Sequence, residues 1–146
     1  MMRSLNRIGA QSVALAITIA AAGCGGSAEP AAPVLVVTNY GLTTINGSPL
    51  PYQVDQSADG TVTFVVTDMV LTLVDNGTWH SSGHRTVTNH GVQSVQALTG
   101  EGGYTVQVSA ATFVDNDHNV VWSGSVSGNT YTLTDRLQQV YVFVKQ

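Results

Sequence analysis

TVTFVVTDMVLTLVDNGTWHSSGHRTVT, residues 61–88, decides the fold. Val62, Phe64 and Val66 alternate with polar residues, and so do Met69, Leu71 and Leu73, which is the two-residue period of a strand with one buried face. The two sets are out of phase. The slip falls near Thr67 and Asp68 and predicts a bulge or bend, as barrels use at their corners. Asn76-Gly77 then separates two alternating runs. That dipeptide is a strong hairpin signal, because both central positions of a type I′ turn need positive φ, and Thr78–Thr88 is the expected partner strand.

The same pattern extends outward. A first strand is expected at Gly41–Asn46, stopped by Gly47, Ser48 and Pro49, and a short extended piece at Tyr52–Asp55, closed by a turn at Ala58–Gly60. Beyond the central hairpin, strands are expected at Gln93–Leu98, Tyr104–Ala110 with a continuation to Val114, Asn119–Ser125, Thr130–Asp135 and Val140–Lys145. Short polar links separate them. From Val34 onward the chain has 21 Val and 16 Thr against only 14 Ala, Leu, Glu and Lys together. Branched residues suit a pleated surface and lose rotamer freedom in a helix, so almost no helix is expected. Sequential strands with tight links pair as antiparallel neighbours. The expected fold is all-β, an up-and-down antiparallel barrel of about eight strands, which closes off its own edges. A two-sheet sandwich is the alternative, and it would call for crossover links that the short connectors do not supply.

The first 23 residues, MMRSLNRIGAQSVALAITIAAAG, place Arg3 and Arg7 ahead of a run of 15 small and apolar residues, Ile8–Ala22, with no acid. This reads as a bacterial export signal, and the run is shorter than the roughly 20 apolar residues a spanning helix needs. Ala21-Ala22-Gly23-Cys24 resembles the lipobox of bacterial lipoproteins, which implies lipidation of Cys24. An ordinary secretory signal that leaves a free thiol is the competing reading. Residues 24–33 continue through GGSAEPAAP, proline-punctuated and without apolar bulk, and read as a flexible tether to a domain at 34–146. Gly25 in place of Asp after the cysteine implies outer-membrane sorting if the host is Gram-negative. The expected location is the cell envelope, lipid-anchored.

INGSPLP at Ile45–Pro51, LTLVDNGTW at Leu71–Trp79, GGYTV at Gly102–Val106 and SGSVSGNTYTLTD at Ser123–Asp135 ahead of VYVFVK resemble small bacterial lipocalin-like lipoproteins. The resemblance covers nearly all of the chain after the leader. It implies a compact barrel of the calycin kind and the binding of small apolar ligands.

From Cys24 onward three basic residues face nine acidic ones, a net charge of −6, the wrong sign for a nucleic-acid binder. One cysteine excludes an intramolecular disulfide. His80, His84 and His90 suggest a metal cluster, but His80 and His84 on one strand face stand roughly 13 Å apart, too far to share an ion. Asp115-Asn116-Asp117-His118-Asn119 opens like a calcium loop, yet Val120 stands where that loop needs glycine and Val126 where it needs glutamate. A tight hairpin uses the same residues. No metal site and no other cofactor is expected. There is no GxSxG elbow, and Glu101 is the only glutamate beyond the tether, so no enzyme is expected either.

Counting alternately from Trp79 through Ser81 and Gly83 puts Arg85 on the face of Trp79 and Val87. Inside a barrel such a cation would need an anionic partner, which a ligand carboxylate can supply; a bulge at Ser81–Gly83 would instead turn it to solvent. Trp79, Tyr104, Trp122 and Tyr131 either line a cavity with it or fill the core. The sequence therefore points to a membrane-tethered module taking a small apolar or amphipathic ligand, with Trp79, Arg85, Tyr104, Trp122 and Tyr131 as candidate contacts. The alternative is a structural or interaction module of the envelope with a packed, ligand-free core.

Overall fold

The structure, a computed structural model, describes residues 34–146. The expected leader at 1–23, the tether at 24–33 and Cys24 lie outside the described residues. Among those described there is no helix; ten strands run β1 (Val37–Ile45), β2 (Ser48–Pro49), β3 (Tyr52–Gln56), β4 (Val62–Val74), β5 (Thr78–Asn89), β6 (Val92–Gln107), β7 (Ala110–Asp115), β8 (Val120–Ser127), β9 (Thr130–Asp135) and β10 (Val140–Lys145). From β4 to β10 each strand pairs antiparallel with the next. β1 then closes the ring, pairing with β10 through Tyr40–Ile45 and with β4 through Val37–Gly41. The result is an eight-stranded antiparallel barrel, as the alternation implies, and not a sandwich. β2 and β3 are additions to it, β2 folded back on β1 and β3 lying along the first half of β4.

The phase slip in residues 61–74 is a bulge. Val66 lies opposite Arg85 and Asp68 opposite His84, so Thr67 is the extra residue. Here β4 bends across Gly83, where a Cβ would run into the main-chain oxygen of Asp68 and lie 2.8 Å from Cα of Met69. Only glycine permits that approach.

The central turn departs from the expected type. Gly77 has φ of +85° but Asn76 is not at positive φ, and the Gly77 N–H donates to the Val74 carbonyl at 3.0 Å. This is the three-residue pattern, a type I turn followed by a left-handed glycine, and Asn76 Oδ1 stabilises it by accepting from the N–H and hydroxyl of Thr78. The two-residue type I′ turns are elsewhere, at Asn46-Gly47 (φ +51° and +79°) and His90-Gly91 (φ +47° and +83°).

Inward faces meet in one core. Ile45, Leu71, Trp79, Phe113, Leu133 and Phe143 are essentially fully buried in it. Trp79 packs against Trp122 at 5.3 Å and edge-on to Phe113 at 6.0 Å, while Phe113 stacks on Tyr104 at 5.7 Å and meets Tyr131 edge-on at 6.0 Å. Aromatic rings therefore plug the barrel's middle, as the narrow interior of eight strands allows.

Candidate functional site

The barrel does not have the same height all round. β6 pairs with β5 along Val92–Gly103 but with β7 only from Gly102 onward, and β4 pairs with β1 only through its second half. The first halves of β4 and β6 and the second half of β5 therefore stand beyond the ring, with β3 beside them, as a four-stranded lip. Between the lip and the β9–β10 turn lies a cavity of about 260 Å³. Val54, Phe64, Val66, Met69, Leu98 and Tyr141 give it a largely apolar wall, which the acids Asp55 and Asp135 also line.

Arg85 is in that wall. β5 runs without a register break from Thr78 to Asn89, so the alternate count from Trp79 holds and the bulge that would have turned Arg85 outward is on β4 instead. Its guanidinium sits 5.0 Å from the centre of the Phe64 ring, and Nε donates to Gln96 Oε1 at 3.0 Å. Among the described residues no carboxylate comes within 4.0 Å of it; the two ion pairs there both involve histidine. A half-buried cation is thus held by an aromatic face and one amide at the edge of the cavity.

The other four candidates are differently placed. Trp79, Trp122 and Tyr131 are buried in the plug below the cavity, and Tyr104 is half-buried against Phe113. Two of their polar handles are used within the fold: Trp79 Nε1 donates to the Val114 carbonyl at 2.9 Å and the Tyr104 hydroxyl to the Val74 carbonyl at 3.0 Å. Burial raises the Tyr104 hydroxyl above the ordinary tyrosine range and pushes Tyr131 up to about 12, with the neighbouring tyrosines adding to it. Tyr141 lines the cavity with its ring, while its hydroxyl is 3.0 Å from both Asp135 Oδ2 and Gln139 Oε1. Its titration is also shifted upward, first by burial and then by the Asp135 charge.

His80 and His84 lie on the outer face of β5, and His90 is in the turn that follows it. His80 pairs across the sheet with Glu101 at 3.5 Å and His84 with Asp68 at 3.0 Å. Among the described residues no three metal-ligating side chains converge. In the Asp115 loop, Oδ1 accepts from the main-chain N–H groups of Asp117 (3.0 Å) and Asn119 (2.8 Å). Those bonds hold the Asp115 carboxyl below the usual carboxylate range, the Asn119 N–H foremost. Twenty residues on, Asp135 does the same for Leu137 and Gln139, each at 2.9 Å. His118 and Gln138, the matching residues, both take the left-handed conformation, with φ of +63° and +64°. Since RLQQ carries no calcium-like series, the shared D-x-x-x-[N/Q]-V pattern accounts for both loops as turns. That internal repeat is legible in the sequence.

The cavity residues Phe64, Val66, Met69 and Leu98, and Gln96 as the partner of Arg85, escaped the sequence reading as a site. Their signal was indirect. Counting back from the central turn puts Thr67 opposite Arg85, and only locating the bulge brings Val66 there instead. Comparison of the chain with known proteins returns no match, whether to a family model, a curated protein or a solved structure.

Proposed function

We propose that this chain is a lipid-anchored protein of the bacterial cell envelope, of the lipocalin-like kind, that binds a small amphipathic anion at the barrel mouth. The observation that carries the reading is Arg85: a half-buried cation with no carboxylate within 4.0 Å among the described residues, set in a largely apolar wall that Asp55 and Asp135 also line. Such a group favours a ligand with an acidic head and a short hydrocarbon body, because the head completes its hydrogen bonds while the body covers Val54, Val66 and Leu98. The volume, about 260 Å³ and so just below the roughly 300 Å³ at which ligand pockets usually begin, favours a short chain over a long one. The anchor rests on the leader and the small residues before Cys24. The reading is of a binding module, not a catalyst.

Calorimetric titration with octanoate and with octanol tests it. Octanoate is expected to bind saturably and about tenfold more tightly than octanol, which corresponds to about 1.4 kcal/mol for the charge-assisted contact. Arg85→Met keeps much of the stem's packing and is expected to remove that difference. Absence of saturable binding by either compound overturns the proposal. The filled barrel interior favours the second reading, a surface that meets another protein.

A further inference from the structure

The four-stranded lip has two lateral edges, and they are built differently. β3, on one side, is short, carries a bulge at Val54 and an acid at Asp55, and follows directly on Pro51. β2, beside it, is two residues long and ends in Pro49. These are the usual means by which a sheet discourages a further strand. The opposite edge, Val92–Gly100 of β6, has none of them. Its sequence, VQSVQALTG, has no charge and no proline, and pairs with β5 without a break. Val92 and Val95 are 71% and 70% exposed.

The register fixes which main-chain groups are free. The two-residue turn at His90-Gly91 closes on Asn89 and Val92, a doubly hydrogen-bonded pair, so Val92, Ser94, Gln96 and Leu98 direct their N–H and C=O toward β5. Gln93, Val95, Ala97 and Thr99 direct theirs away. Among the described residues no strand lies on that side, because β7 begins pairing only at Gly102.

We infer that a second copy of this chain covers this edge, β6 against β6 in antiparallel register about a two-fold axis at Gln96. The four outward-facing residues are spaced evenly about that position. Val95 then pairs with Ala97 of the other copy and Gln93 with Thr99, which gives about eight main-chain hydrogen bonds and leaves none of the eight free groups of either strand unpaired. Val95 gains a small cross-strand neighbour. An uncharged edge meets an uncharged edge, so the net negative charge of the chain is kept away from the contact. A charged peptide would find no complement here. The chain's own segment before Val34 is a poor occupant: Pro30 and Pro33 fall on opposite parities, so either register would set a residue without an N–H against the edge. This inference stands independently of any ligand in the mouth.

Sedimentation of the intact protein in a mild nonionic detergent, across micromolar concentrations, tests it. The wild-type chain is expected at the protein mass of a dimer. Ala97→Pro removes an N–H that faces away from β5, so it is expected to leave the circular dichroism unchanged and to give the monomer mass. Val95→Lys, which places like charges near each other across the axis, is expected to do the same and decides the matter if the proline variant does not fold. A monomeric wild-type chain overturns the inference, whatever other protein it captures. A dimer that survives the folded variants overturns it equally, by placing the contact elsewhere.

Discussion

Trp79 shows how much a single residue contributes. It is 1% exposed, touches Trp122 and Phe113, and satisfies its own indole N–H on the Val114 carbonyl. Trp79→Ala is expected to destabilise the fold by about 3–5 kcal/mol, read from the denaturant midpoint, because the ring wall around it can collapse only partly. The tyrosines make a second prediction. A phenol whose folded value is raised contributes stability that is fully present below its unfolded value of about 10 and is lost as pH rises through the folded one. With Tyr131 at about 12 and Tyr104 and Tyr141 also raised, melting temperature is expected to fall as pH climbs from 10 toward 12. Phenolate absorbance of the native protein is expected to develop late for these three, and normal titration by all five tyrosines would contradict their burial. Alternation along β5 put Arg85 and Trp79 on one face but left open a bulge at Ser81–Gly83 that would turn Arg85 outward. The unbroken pairing of β5 decides between the two. Alternation could not separate a ring that lines a void from one that fills it, since that depends on the residues arriving from β7, β8 and β9.

Turns govern the strands. Gly77→Val is expected to cost about 1–3 kcal/mol, since a β-branched side chain is a true outlier at φ of +85°. A denaturation midpoint equal to wild type would show that the hairpin does not depend on that conformation. Asp135→Ala is expected to lower stability by about 1–2 kcal/mol, and by more than Asp115→Ala, because Asp135 holds the Tyr141 hydroxyl as well as its own loop. Equal losses, measured by thermal unfolding, would show that the tyrosine contact adds nothing. The hairpin at Asn76-Gly77 and the slip near Thr67 were both readable, the first from residue type and the second from phase. The turn class was not: Asn-Gly serves two- and three-residue loops alike, and the choice follows from the register that the rest of the sheet imposes. The lip escaped for a related reason. A strand as long as β6 pairs with β5 over Val92–Gly103 but with β7 only over Gly102–Gln107, and alternation is blind to where the second neighbour begins.

At the scale of the molecule the antiparallel order and a barrel of about eight strands were legible, because the links are short. The division was not: the expected strands Gln93–Leu98 and Tyr104–Ala110 run together in β6, and the expected continuation to Val114 is the separate strand β7. The proposed anchor makes the prediction proper to this scale. Cys24→Ser is expected to release the protein from membranes, since acyl chains supply about 0.8 kcal/mol per buried CH₂. Retention of that variant after a salt wash would remove the lipid from the account. The seam of the barrel sets a further condition. β1 meets β10, and the Thr43 hydroxyl bonds the Val142 carbonyl across 99 positions, whereas the pairs from β4 to β10 are all between neighbours in the chain. Bringing the two ends of so long a segment together costs about 4 kcal/mol of chain entropy, against far less for each hairpin. A polypeptide delivered N-terminus first, from a ribosome or through a pore, therefore remains an open ribbon of hairpins until its last strand arrives, and the lock turns only when delivery is complete.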